Sequence, residues 1–210
     1  MSWQARRLLK SAIDGACLVL VMPAALMCAL EVRFAGRGET LFAGWAQAFA
    51  LVPGAAGVFV RRAFYRLTLE HCARSFSIGF GAIFSHRQVT IEEGAYVGPY
   101  AVVGSCRLRR GCLIGTRASI LSGGNLHTLD GHGWTAADLG RLHRIDIGEY
   151  AWVGESAVIV ANVGRSAMVA AGSVVTAAVP AETMVGGNPA RFVRRLREEV
   201  PSVPAAVSIR

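Results

Sequence analysis

The chain has 210 residues and a formal charge of +8, from 22 basic and 14 acidic side chains; 53% of it is apolar and only 17% charged. That length holds one compact domain with an appendage, the hydrophobicity excludes a disordered chain, and 24 glycines argue against a plain helical bundle. The five cysteines (Cys17, Cys28, Cys72, Cys106 and Cys112) form no CxxC pair. They supply neither a disulfide scaffold nor a thiolate metal site, and they read as reduced and intracellular. Every basic residue except Lys10 is arginine, in small scattered clusters with no basic helix face interleaved with aromatics, so nucleic acid is not an expected partner.

The first third is apolar. Gly15–Leu30 carries no charge, with Arg6, Arg7 and Lys10 before it and Glu31 after it. Leu41–Val60 is also uncharged and is followed by Arg61, Arg62 and Arg66. A membrane-spanning helix needs roughly 20 apolar residues. The first stretch falls short unless Ala12, Ile13 and Asp14 are included, and the second is interrupted by Pro53, Gly54 and Gly57. With arginine outside both stretches and a balanced connector at 31–40, the pattern predicts a membrane-associated helical hairpin over residues 1–66 with both ends cytoplasmic. A signal peptide fits less well, because no small-x-small site precedes Glu31 and Met27 spoils a lipoprotein-type cleavage before Cys28. A buried soluble hairpin is the other alternative.

From Ile78 the chain repeats every six residues. Units start at Ile78, Ile91, Val97, Leu108, Ile114, Ile147, Val153, Val163 and Val169, each with a small residue four places on, from Ala82 to Ser173. In six of them glycine follows the apolar residue, as at Gly79, Gly98 and Gly115. Each unit predicts a short strand and a turn, with the apolar residue inward, the small one at a tight corner and glycine supplying the turn dihedrals. Three units close a triangular coil, and stacked coils bury a continuous apolar column.

This pattern resembles the hexapeptide-repeat acyltransferases, whose fold is a left-handed parallel β-helix. The resemblance covers about residues 75–195 and is closest over Ile145–Leu196, which includes GNPAR at Gly187–Arg191. It implies a mainly β protein with the β-helix at 67–190, a loop extruded at 122–145, and a short C-terminal helix and tail over 191–210, starting near Phe192–Glu199. It also implies a homotrimer with each active site between neighbouring solenoids. The apolar N-terminus and FYRLTLEHCARSFSIGFGAIFSHR are similar to membrane-associated members that act in exopolysaccharide biosynthesis at the inner membrane.

The period stops after Ser119 and resumes at Ile147. The intervening loop holds His127, His132 and His143 with Asn125, Asp130 and Trp134. Asn125-x-His127-x-x-Asp130 resembles the family's catalytic loop, which implies that His127 is the general base for direct attack of an acceptor hydroxyl on an acyl-CoA thioester. A near-neutral imidazole pKa suits that role. Asn125 and Asp130 would orient the ring or bind acceptor, or else make Asx turns. His132 and His143 read as solvated, and His86 as a cap or surface residue.

For the co-substrate, acetyl-CoA above all, the resemblance implies contacts from Trp152, from the Ala170, Ala171 and Gly172 backbone, from Thr176, and from Arg191 and Arg194 to phosphates. Ala177 stands where many relatives have lysine. Trp152 packing in a trimer interface and a solvated Arg191–Arg194 helix are the structural alternatives. No metal is expected. The acceptor expected is a sugar or lipid-linked saccharide. Two other functions compete: a β-helical zinc hydrolyase using His127, His132 and His86, and a non-catalytic trimeric scaffold.

Overall fold

The computed structural model describes residues 3–36, 38–122, 128–135 and 142–196. From His71 on, two- and three-residue strands stack in register into three parallel sheets, the faces of a triangular β-helix of six coils. The inward residues of the first face are Cys72, Ile91, Leu108, Ile147, Val163 and Val179. Those of the second are Ile78, Val97, Ile114, Val153, Val169 and Val185. Phe84, Val103, Ile120, Ile159 and Val175 line the third. All of these except Cys72 are buried, as are the small corner residues from Ala82 to Ser173. This continuous column is the main stabilising element, because each six-residue strand-turn has no core until a neighbouring coil covers it.

The nine hexads evident in the sequence all lie on the first and second faces. The third is hard to read because the corner leading away from it varies in length: seven residues separate Phe84 from Ile91, five separate Val103 from Leu108, and four separate Val175 from Val179. Variable corners break a fixed period without breaking the fold.

The glycine expectation needs correction. The glycine after each inward residue is required by close approach of the next coil. A Cβ on Gly115 would lie 2.7 Å from the backbone of Gly154 and Glu155, and one on Gly98 would lie 2.7 Å from Thr116 N. The left-handed turn residue is the third after the inward one: Tyr100 after Val97 (φ 58°), Tyr150 after Ile147 (φ 56°) and Gly172 after Val169 (φ 68°).

The N-terminal third forms three helices, α1 (Trp3–Ala35), α2 (Thr40–Ala50) and α3 (Gly54–Thr68). The second apolar stretch is therefore not one membrane-spanning arm. It breaks at Val52–Pro53, where proline cannot continue the helix, and both halves pack on the first coil. Arg61 is fully buried there and donates to the carbonyls of Phe49, Ala50, Val52 and Ile78, tying the end of α2 to the open coil. Tyr65 stacks edge-on against Phe84, with ring centroids 4.8 Å apart. Among the described residues α1 alone is long and apolar enough to cross a membrane.

The expected C-terminal helix is absent over the described residues. Ala190–Arg195 is a strand that folds back antiparallel on Thr183–Gly187, with Gly187 and Ala190 paired at the turn. The run Arg191-Phe192-Val193-Arg194 extends the second face by edge pairing, which a helix could not do.

Candidate active site

The extruded loop leaves the third face after Ile120 and rejoins the first at Ile145. Its base is closed by His143 donating its N–H to the Ser122 carbonyl and Ile145 donating to Ser105. Arg144 pairs with Glu70 of the first coil. Arg109 donates to Asp146 (Nη2–Oδ2 2.8 Å) and to Glu92 (Nη1–Oε1 3.1 Å), joining the coils on either side of the insertion. These two carboxylates hold the Arg109 pKa above its ordinary value against a small burial effect.

Within the loop, Leu129–Asp130 and Gly133–Trp134 form a two-stranded hairpin. The Asp130 carboxylate accepts the His132 N–H (2.8 Å), the Asx-type bond that closes this turn. Leu129 and Trp134 are cross-strand partners, both well exposed. Asn125 and His127 lie outside the described residues; His127 directly precedes Thr128, whose N–H donates to Thr135 Oγ1 (3.0 Å) at the hairpin's mouth. His86 sits apart from this hairpin, on the first coil. Its Nδ1 lies 2.7 Å from Glu39, which also accepts the Arg87 N–H (2.9 Å). Burial opposes ionisation of Glu39, but these bonds outweigh it and hold its carboxyl below the ordinary range.

The residues expected at the co-substrate mostly converge on the second face near the last coils. The register row Trp152–Met168–Met184–Arg194 is continuous across four strands. Trp152 faces outward and is half exposed, continuing an outer column through Leu113 and Tyr96. Ala170, Ala171 and Gly172 form the next corner. A Cβ on Gly186 would lie 3.3 Å from that of Ala170, and Gly186 pairs with Arg191. Arg191 and Arg194 are exposed and belong to a strand, correcting the helical placement. Thr176 stands apart, exposed at the far end of a third-face strand. Arg191 also lines a cavity of about 310 Å³ at the C-terminal end, with Val175, Val179 and Val185. Met168, Met184 and Gly186 were missed in the sequence. The two methionines precede the inward Val169 and Val185 as Trp152 precedes Val153, so the hexad phase contained that signal.

The solenoid offers no reactive thiolate among its described cysteines. Burial pushes the Cys112 thiol up to about 12 and Cys106 well above its ordinary value, and both point into the coil column. Among the described residues no three His, Cys, Asp or Glu side chains are grouped to hold a metal ion.

Comparison with known proteins agrees with this architecture. The chain is 37% identical over 122 residues to serine acetyltransferase 2 of Arabidopsis thaliana, covering 56% of this chain and 34% of that protein. It is 41% identical over 128 residues to serine acetyltransferase 4 of the same plant, covering 60% and 30%. It thus spans about a third of the length of these curated relatives. Among solved structures, a hexapeptide-repeat acetyltransferase of Vibrio cholerae complexed with acetyl-coenzyme A superposes with a TM-score of 0.61 at 23% identity, over 74% of this chain and 86% of that one. A galactoside acetyltransferase in complex with coenzyme A gives 0.59 at 17%, over 76% and 81%. No family model matches the chain. The repeat and the three-faced coil make the chain a hexapeptide-repeat β-helix, and in that fold it is similar to these acetyltransferases.

Proposed function

We propose that the protein is an acyl-CoA-dependent O-acyltransferase, using acetyl-CoA, that modifies a hydroxyl of a sugar or lipid-linked saccharide during cell-surface polysaccharide assembly at the cytoplasmic face of the inner membrane. Residues 1–66 would attach it to the membrane and residues 67–190 would carry the chemistry. The observation that carries this reading is the interruption of the β-helix between Ile120 and Ile145, a stretch whose sequence holds Asn125-x-His127, in a chain 37–41% identical to acetyltransferases over more than half its length.

In this reading His127 takes the acceptor hydroxyl proton as the oxygen attacks the thioester carbonyl. The tetrahedral oxyanion is met by a backbone N–H, the C–S bond breaks, and the CoA sulfur leaves with the proton returned from the imidazolium. The products are an O-acyl ester and free CoA, with no acyl-enzyme. Trp152 and the Ala170–Gly172 corner would bind the pantetheine arm, and Arg191 and Arg194 the phosphates. The apolar outer column of Tyr96, Leu113 and Trp152 supports a homotrimer with the site between solenoids.

A second acceptor is favoured by one finding: both plant relatives are serine acetyltransferases, so a free amino-acid hydroxyl belongs in the same screen. The test is release of CoA thiol from acetyl-CoA with saccharide, lipid-linked saccharide and serine acceptors, for the parent chain and His127→Ala. Melting is recorded alongside with acetyl-CoA, with desulfo-CoA and after chelation. Stabilisation by both CoA species and acceptor-dependent thiol release that His127→Ala abolishes support the proposal. Loss of stability on chelation without any CoA response would favour the zinc hydrolyase. CoA-independent function retained in His127→Ala would favour the scaffold.

A further inference from the structure

We infer that α1 attaches the enzyme to the bilayer lying in the membrane plane, with both of its ends on the solenoid's side, and does not cross the membrane. The inference rests on the membrane part of the proposed function and sharpens it. Two ion pairs fix how α1 lies on the β-helix. Asp14 pairs with Arg62 of α3, and Arg62 carries the tie to the coil by donating to the Phe76 carbonyl at the corner before the strand Ser77–Ile78 (3.4 Å). Seventeen residues further along, Glu31 pairs with Arg87 at the corner after the strand Ile83–Phe84 (2.6 Å), and Arg87 donates to the Cys28 carbonyl (2.9 Å). Asp14 and Glu31 are about 25 Å apart along a helix, close to the roughly 20 Å of one six-residue side of a coil. The helix therefore runs alongside the first-face side of the first coil, tied at both corners.

A membrane normal parallel to α1 would carry that side of the coil into the hydrocarbon. Glu70, His71 and Arg74 lie there and are exposed, and the short strand His71–Cys72 is an edge of its sheet. Charged side chains and an open sheet edge at membrane depth are costly. An in-plane helix avoids this cost, because the polar face that such helices normally turn to water is here replaced by the protein itself.

The outer face of α1 fits that occupant. Val21, Ala24 and Cys28 pack inward, whereas Val19, Met22, Leu26, Leu30 and Phe34 are exposed along the opposite stripe, Phe34 by 82%. Both acidic residues of α1 are held in the ion pairs just described, so its exposed charge is cationic: Lys10 near the start and Arg33 near the end. A long apolar stripe bounded by cations complements an anionic lipid surface.

The full-length protein would be expressed with single reporter cysteines, Lys10→Cys, Arg33→Cys or Arg117→Cys. Cytoplasm-out membrane vesicles would then be treated with a membrane-impermeant maleimide and compared with the parent chain, whose own cysteines set the background. Arg117 marks the solenoid's side. Labelling of all three from outside supports the in-plane attachment. Labelling of Lys10→Cys and Arg33→Cys from opposite sides overturns it while leaving membrane attachment intact. A chain that stays in the soluble fraction overturns both. In flotation with phosphatidylglycerol-containing vesicles, Leu26→Glu with Leu30→Glu should reduce bound protein by roughly a hundredfold, from the lost insertion of two leucines. Unchanged flotation, or a change in self-association alone, would assign the stripe to a second copy of the chain and overturn the inference.

Discussion

Arg109 and Asp146, thirty-seven residues apart, are joined by paired guanidinium–carboxylate bonds, Nε–Oδ1 3.0 Å and Nη2–Oδ2 2.8 Å. The pair reaches across the point where the extruded loop interrupts the coil, so it helps restore register after the long insertion. Loop closure over that length has an entropic cost that local contacts at the base must offset. Both side chains are partly exposed, and a pair of this kind contributes about 1 kcal/mol at most. Asp146→Ala should therefore lower unfolding stability by about that amount, with a smaller effect in high salt. Denaturant titrations at two ionic strengths, in a double-mutant cycle with Arg109→Ala, check this. An equal loss at both strengths would mean that the pair acts through packing and not charge.

The glycine ladder gives a sharper contrast. Gly115→Ala would drive a Cβ to 2.7 Å from the backbone of the next coil, with no flexible side chain to move aside. Overpacking of this kind costs about 1–3 kcal/mol or more. A Cβ added at Gly131, in the loop hairpin, would meet nothing within 4 Å. Gly131→Ala should thus melt within a degree or two of the parent while Gly115→Ala melts several degrees lower. Thermal melting of the two side by side is the check, and equal behaviour would refute the close-approach account.

The inward and corner residues were legible because burial repeats them at a fixed spacing, as Ile114 and Ala118 or Val153 and Ala157 show. The third face was not, since Phe84, Val103 and Val175 are followed by corners of different length. The break at Pro53 could be anticipated from proline chemistry. That Arg61 would be buried as a cap could not, because a cationic residue after an apolar run reads equally well as a membrane flank. The run Arg191–Arg195 is compatible with a basic helix until an edge strand offers it hydrogen-bond partners. In the site, Trp152 announced its outward row, whereas the bond from the His132 N–H to Asp130 depends on a turn that the motif alone does not specify.

Buried thiols make the fold sensitive to alkali. Burial pushes Cys112 up to about 12 and raises Cys106 well above its ordinary value. A group whose folded pKa is raised stabilises the native state fully below its unfolded pKa, near 8.5 for a thiol, and that stability drains as pH rises toward the folded value. Each thiol then removes about 1.4 kcal/mol per pH unit over that window. Stability should be flat between pH 7 and 8.5 and fall steeply by pH 10. Cys112→Ala, with alanine standing where Ala95, Ala151 and Ala167 fill the same corner, should show a shallower fall. Denaturant unfolding across that pH range, under reducing conditions, measures both slopes.

The loop residues separate by the bonds their side chains can make. In the proposed reaction His127 moves the proton, and its replacement by alanine should lower turnover by about 10²–10⁴-fold with little change in CoA affinity. Asp130 has a visible task, accepting the His132 N–H in the hairpin turn. An asparagine carbonyl accepts that bond equally well, so Asp130→Asn should retain turnover within a fewfold of the parent, while Asp130→Ala loosens the turn and falls between the two. If Asp130 instead oriented the His127 imidazole by charge, Asp130→Asn would collapse toward the His127→Ala level, because an amide cannot stabilise the imidazolium. Steady-state rates of CoA release for the three variants over pH 6–9 decide this. A turn role leaves the acidic limb of the profile where it is in the parent, and an orienting carboxylate shifts it to lower pH when removed, since the imidazolium loses its counter-charge.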